Sequence, residues 1–346
     1  MNGYHGRIAV VDLTARASRE IVFDEDFARK YIGGSGMGTF FLLRFSTPKT
    51  LPLSPENPLI FMTGPFLGSG IPTSGRHQVV TRSPLTGIFL ESDAGGSFGF
   101  HLKQSGFDGL IIIGKAGSPT LLTIKDGRIG FEDASGVWGK DTMDTDAALR
   151  AVYGKNTGIS CIGPAGEKMI PLAGIFHDGT DARASGRGGA GAVMGSKNLK
   201  AIVAGGSAVA AISDRKTLTG LISEKNAVLK EKGAGLNLYG TSGGMGLCEE
   251  LGDLPIRNWK QGSWKEEVKS ITGQRMAETI LTGNYGCVAC PVRCGRVVGI
   301  DGRNVGGPEY ETMAMLGSNC LVDDLEAIAR ANELCNRLGI DTISTG

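Results

Sequence analysis

Three cysteines in the stretch Gly286-CVACPVRC-Gly295, at positions 287, 290 and 294, form a C-x2-C-x3-C pattern. Thiolates at this spacing hold metal ions or iron–sulfur clusters, and either site normally takes four protein ligands. Zinc would pair one C-x2-C with a second or with two histidines. The four histidines (5, 77, 101 and 177) all lie far upstream, so the spacing favours iron–sulfur over zinc. Cys320 and Cys335 are candidate fourth ligands, but both sit in helix-like contexts that suit core thiols. Cys161 and Cys248 read as buried or inert thiols.

A second chemistry is written in glycine and arginine. Gly186-RGGAG-Gly191 contains a formal G-x-G-x-x-G, yet the run before it, HDGTDARAS, is polar and gives no hydrophobic strand, so a dinucleotide site is not supported. Arg183, Arg187 and Lys197 around these glycines suit phosphate oxygens, which take guanidinium forks and bare backbone amides. GSGIPTSGRHQVV, with Arg76, and ESDAGGSFG, with Asp93, Gly95 and Gly96, are two more such loops. Three in one region favour a bulky phosphorylated cofactor. In Gly307-PEYE-Glu311, Glu309 and Glu311 flank Tyr310. Acids there serve either as a solvated first helical turn or as a general acid or base, and local physics leaves both open.

These residues need elements to hold them. The chain has 346 residues, long enough for two cores, and 41% of them are hydrophobic. Glycine numbers 55, roughly twice the usual share of about 7%. A net charge of +1 and 6% aromatics argue against a nucleic-acid surface, and no run of apolar residues is long enough to span a membrane. With no N-terminal apolar segment, a cytoplasmic location is expected. Up to residue 209, short apolar runs (7–13, 59–62, 78–81, 110–114, 121–125 and 199–204) alternate with glycine turns and predict strands, with a helix over 142–153. After Ser213, a candidate N-cap, helical periodicity takes over across 214–232 and 323–338, with Gly339 as a stop. The expected fold class is α+β: a β-rich cofactor-binding domain, 1–209, then the start of a mainly α-helical domain, 210–346, carrying the three cysteines. IDTISTG reads as a strand or turn that closes nothing, the texture of a truncated polypeptide.

Taken together, these stretches resemble the tungsten-containing aldehyde:ferredoxin oxidoreductase family. The carriers are Leu53-SPENPLIF, Gly64-PFLG with PTSGR, TRSPLTG, GGSFG, FDGLIIIGKA, ISCIGPAGE, GRGGAGAVMGSKNLKAI, CVACPVRCGR, GPEYE and LCNRLGIDTISTG, in the family's order over almost the whole chain. The resemblance implies a tungsten bis-molybdopterin cofactor, a Mg2+ ion bridging the pterin phosphates, and a [4Fe–4S] cluster. Arg76 would lie between pterin and cluster, and the backbone carbonyls of Asp93 and Ala184 would coordinate the magnesium. Gly95, Gly96, Arg183, Gly186, Arg187 and Gly188 would form the cradle.

Cys287, Cys290 and Cys294 match three cluster ligands, the family's fourth lying in a D-x-x-G-L-C motif beyond residue 346. Glu311 matches the glutamate near the metal, with Tyr310 beside it. Asn336, Gly339, Ile340 and Asp341 match the first pterin motif, where Asn336 replaces an aspartate and loses its charge. The implied reaction oxidises an aldehyde to a carboxylic acid and passes electrons through the cluster to ferredoxin, and a homodimer is left open. Two alternatives stand beside it. One is a family member that reduces an aryl-CoA thioester or serves as catalytic subunit of a larger electron-transfer complex; the other is an inactive fragment or metal-binding scaffold.

Overall fold

A computed structural model describes residues 1–346. The chain forms two compact units. The first comprises Met1–Ile222, Cys287–Ala289 and Leu338–Ile340; the second comprises Ser223–Gly286, Cys290–Arg337 and Asp341–Gly346.

Two six-stranded sheets build the first unit. Strands β1 (Arg7–Asp12), β2 (Ala17–Val22), β3 (Leu59–Met62), β4 (His77–Arg82), β5 (Phe89–Ala94) and β6 (Gly109–Ile113) are ordered β2-β1-β6-β3-β4-β5. Strands β7 (Thr120–Lys125), β8 (Arg128–Asp133), β9 (Gly158–Cys161), β10 (Ile175–His177), β11 (Arg183–Ser185) and β12 (Leu199–Gly205) are ordered β11-β10-β9-β12-β7-β8. All six predicted strands are present, as is the helix Thr142–Tyr153, whose N-terminus Asp141 caps through the Asp144 amide.

The unbroken apolar runs follow from burial on both faces, because alternate side chains along a strand point to opposite sides. Ala9 and Val11 of β1, with Leu59 and Phe61 of β3, enter a core shared with Leu122, Leu199 and Ile202 of the second sheet and with Val193 and Met194 of the Ala190–Ser196 helix. Ile8, Val10, Ile60 and Met62 face the other way, against Met37, Phe41 and Leu42 of the Gly34–Phe45 helix. A register shift between Leu199 and Ala201 turns Ala201 and Val203 toward Leu149 and Ile159 instead.

The second unit carries a core of its own around Met245, Ile271, Met276, Val298, Met313 and Ile328. Beside its helices stands a three-stranded antiparallel sheet, β13 (Leu281–Tyr285), β14 (Gly295–Ile300) and β15 (Arg303–Gly306), which the sequence reading did not foresee. Helix Leu325–Leu338 ends at Gly339, whose φ of 78° is the left-handed stop expected there.

Three local expectations are corrected. Asp214, not Ser213, caps the Arg215–Lys232 helix, since its Oδ1 accepts from the Thr217 amide at 3.0 Å and its Oδ2 from the Thr217 hydroxyl at 2.6 Å. The terminal stretch is a short helix, Thr342–Thr345, because the Asp341 carboxylate accepts from the Ile343 and Ser344 amides. Cys320 is not a core thiol: it ends a 3-10 turn, Ser318–Cys320, and is exposed. No helix is long and apolar enough to cross a membrane.

Candidate functional site

In the first unit, chain distant in sequence converges on Cys287. A Cβ placed on Gly75 would come within 3.1 Å of the Cys287 Cβ, and one on Gly95 within 2.6 Å of its Sγ. The Val288 amide donates to the Gly96 carbonyl at 3.3 Å. The loops bearing Arg76 and Gly95–Gly96 therefore press on the first cysteine of the C-x2-C-x3-C motif. At Gly95 a side chain would force a shift, and at Gly75 the fit is tight. Arg76 itself is exposed.

The magnesium-site candidates sit on sheet edges. Asp93 lies in β5, the edge strand of the first sheet, and Ala184 in β11, the edge strand of the second. β5 touches β11 and also the Arg187–Gly189 turn. Each strand pairs on one side only, so each offers an edge of backbone groups outside its ladder, the donor type a hard cation takes. Arg187 and Asp93 are exposed, and Arg183, Ala184, Gly186 and Gly188 are half-buried.

Asp178, missed from the sequence, locks this region. Its Oδ2 accepts from the Ser97 amide at 2.7 Å and its Oδ1 from the Ser97 hydroxyl. Gly96 has a φ of 86°, and a Cβ there would collide with the Asp178 carboxylate and approach Arg183 Cγ to 2.9 Å. Asp178 is left-handed (φ 64°), as is Ala182 (φ 49°), so the 178–182 turn is held in a conformation non-glycine residues seldom adopt. The Asp-Gly pair at 178–179 was the only sequence signal.

Beneath the cradle lie His77 and His177, ring centroids 4.7 Å apart and edge to face, with Phe98 against both. Both are buried, and neither nitrogen of His77 has a hydrogen-bond partner. Burial pushes His77 down to about 3 and His177 well below its ordinary value, with His77 adding to the second shift. The pair is neutral packing material under the Arg76 and Asp178 loops.

Other expectations shift. Lys197 does not face the phosphate loops: its buried amine donates to the Pro55 carbonyl at 2.9 Å and the Gly114 carbonyl at 3.2 Å, and burial lowers it to about 7. Several glycines of the GRGGAGAVMG run serve packing as well. A Cβ on Gly188 would meet Leu90 at 2.5 Å, and those on Gly191 and Gly195 would strike the Gly174 and Gly166 carbonyls. Gly339 accepts from the Gly174 amide at 3.0 Å, and Ile340 bridges Ala173, so this pair docks on the segment that also receives the Ala190–Ser196 helix.

In the second unit, Glu309-Tyr310-Glu311 opens the helix Tyr310–Leu316. Glu309 makes no side-chain cap; the Thr241 hydroxyl does, accepting from the Tyr310 amide at 2.9 Å while donating to Glu309 Oε2 at 2.9 Å. Tyr310 is half-buried against the core that Cys248 also joins; burial, with the neighbouring Cys248 thiol, holds its phenol well above the ordinary range. Glu311 is exposed. Asn336 and Asp341 are buried. None of the seven cysteines is in a disulfide.

This fold, with its glycine-walled cysteine and paired sheet edges, agrees with the family comparisons. Residues 8–206 match the family described as "Aldehyde ferredoxin oxidoreductase, N-terminal domain", and residues 220–346 match "Aldehyde ferredoxin oxidoreductase, domains 2 & 3". The chain belongs to the aldehyde ferredoxin oxidoreductase family. It is 44% identical over its whole length to the tungsten-containing aldehyde ferredoxin oxidoreductase of Pyrococcus abyssi, covering 57% of that protein. It is 31% identical to the aliphatic sulfonate oxidoreductase, WOR-like subunit, of Pyrococcus furiosus, covering 58% of it. Among solved structures, the active site complex BamBC of benzoyl coenzyme A reductase superposes with a TM-score of 0.85 at 24% identity, over 99% of this chain and 54% of that one. The chain thus spans somewhat over half the length of the relatives it matches.

Proposed function

We propose that the protein to which this chain belongs is a tungstopterin oxidoreductase that oxidises an aldehyde to a carboxylic acid and delivers electrons through a [4Fe–4S] cluster to ferredoxin or a ferredoxin-like subunit. The observation that carries this reading is the convergence of the Arg76 loop, the Gly95–Gly96 loop and Cys287. The 44% identity to a tungsten-containing aldehyde ferredoxin oxidoreductase supports it.

The residues fit the group they would hold. The β5 and β11 edges would supply the Asp93 and Ala184 carbonyls to Mg2+. Arg183, Arg187 and the backbone amides of Gly95, Gly96, Gly186 and Gly188 would take phosphate oxygens, and Arg76 would lie between pterin and cluster. Asn336, Gly339, Ile340 and Asp341 would contact a pterin as the first pterin motif, and Cys287, Cys290 and Cys294 would hold three irons. When bound, the tungsten centre supplies Lewis-acid activation of the carbonyl oxygen and a two-electron sink.

The chain's own share is orientation and proton handling. A phenol held as high as that of Tyr310 is a poor proton donor near neutrality, so Glu311 is the carrier and Tyr310 its buttress. Thr241 fixes the helix start on which Glu311 stands.

The test is turnover by the complete protein. Aldehydes presented with a viologen acceptor should be oxidised, with tungsten near one and iron near four per chain. Activity on an aryl-CoA thioester with none on any aldehyde would sink the reading, as would zinc as the sole metal. Glu311→Gln should reduce kcat at least about 100-fold, the usual scale of general acid–base catalysis, and leave metal content unchanged.

A further inference from the structure

Arg296, next but one to Cys294, is among the largest fully buried side chains of the protein, at 2% exposure. It stands in β14, and its guanidinium is enclosed by backbone. Nε donates to the Cys294 carbonyl at 3.1 Å, Nη1 to the Leu238 carbonyl at 3.0 Å, and Nη2 to the Asn237 and Arg293 carbonyls at 2.8 and 3.1 Å. Two of those four acceptors belong to the cysteine loop itself.

The slot is shaped by glycines. A Cβ on Gly240 would come within 3.0 Å of Arg296 Cδ, and one on Gly307 within 2.8 Å of its Cβ. The Gly307 amide, which opens the GPEYE motif, donates to the Arg296 carbonyl at 2.8 Å. Burial disfavours the charge, and Cys294 and Glu309 oppose that effect electrostatically. An arginine stays protonated in such a place. A buried cation is costly, and replacing it with an apolar residue would spare that cost.

We propose that Arg296 is a redox-positioning residue: it anchors the Cys294 end of the cysteine loop and sets a fixed positive charge there that stabilises the reduced state of an iron–sulfur cluster. This rests on the reading of Cys287, Cys290 and Cys294 as cluster ligands. Each one-electron reduction adds one negative charge at the cluster, and the same electron leaves to the ferredoxin-like acceptor on reoxidation. The guanidinium offsets that charge without taking up a proton. Charge and hydrogen bonding around the ligating sulfurs are among the levers that set such potentials. Glu309, exerting the opposite charge on Arg296, moderates the effect.

The experiment is an EPR-monitored redox titration of the complete, metal-loaded protein, preceded by iron analysis. Wild type should contain about four irons with a reducible cluster; absence of iron would remove the reading of the loop, and this inference with it. In Arg296→Gln the cluster should become harder to reduce, the reduced-to-oxidised ratio at fixed potential falling about tenfold, or ~59 mV for one electron. Arg296→Lys keeps the charge and should stay near wild type. Glu309→Gln, at a half-buried position, should move the potential upward. Iron content intact with Arg296→Gln within twofold of wild type would overturn the proposal, and so would a Lys variant that falls as far as Gln. If Arg296→Gln assembles no cluster, Glu309→Gln decides: an unchanged or lowered potential counts against it.

Discussion

The two units position their functional residues by different means. In the first, glycines let backbone and sulfur approach until no Cβ fits, and two sheets supply the stiffness behind them. In the second, side-chain hydrogen bonds do the positioning: Thr241 holds the start of the Tyr310 helix, and Arg296 holds the Cys294 end of the cysteine loop. Steric positioning by glycine tolerates almost no substitution, whereas positioning by hydrogen bonds is lost bond by bond.

That contrast orders three expected effects. The largest belongs to Gly96→Ala. A methyl at φ 86° against the Asp178 carboxylate combines left-handed strain with overpacking, together about 3 kcal/mol. Tungsten and iron content should fall alongside the melting temperature, and a variant with wild-type metal loading would place the rigidity of the cradle elsewhere.

The second effect is acid sensitivity of the first unit. The folded-state pKa of His77 is depressed, so between about 3 and its unfolded value of 6.5 the unfolded chain binds the extra proton. Stability is therefore fully present above pH 6.5 and lost as pH falls, by about 2 kcal/mol at pH 5. Denaturant titrations at pH 7 and pH 5 should show that loss, and His77→Phe should reduce it. An unchanged pH slope in that variant would assign the sensitivity to other groups.

The smallest is Thr241→Val in the second unit, about 1 kcal/mol for a lost helix cap. Stability should drop slightly while kcat drops more, since Glu311 rides on that helix. A purely thermal effect with kcat intact would make Thr241 a cap and nothing further.

Legibility in the sequence divided along the same line. The strands 59–62, 110–114 and 199–204 were readable because residues buried on both faces leave a continuous apolar run. β2, β8 and the three strands of the second unit were not, being short, polar or half-exposed. The cysteine motif and the glycine loops were legible as motifs, but which of the glycines serve packing was not. Gly191 and Gly195 look the same as Gly95 until the carbonyls opposite them are seen. Lys197 misled for a related reason: a lysine beside a glycine run suggests an anion, yet its acceptors are carbonyls far off in sequence. Arg296 was invisible because its partners are main-chain atoms, which leave no trace in residue identity.

The meeting of β5 with β11 also bears on assembly. Each is the last strand of its sheet, and the residues that build them are separated by nearly the length of a small domain. Such a seam closes only after both sheets exist, so it joins late, when the entropy of the long intervening chain has already been lost. Its two unpaired edges stay available for wrong partners until then. A chain whose seam has not closed is caught one step short, prone to associate through those edges.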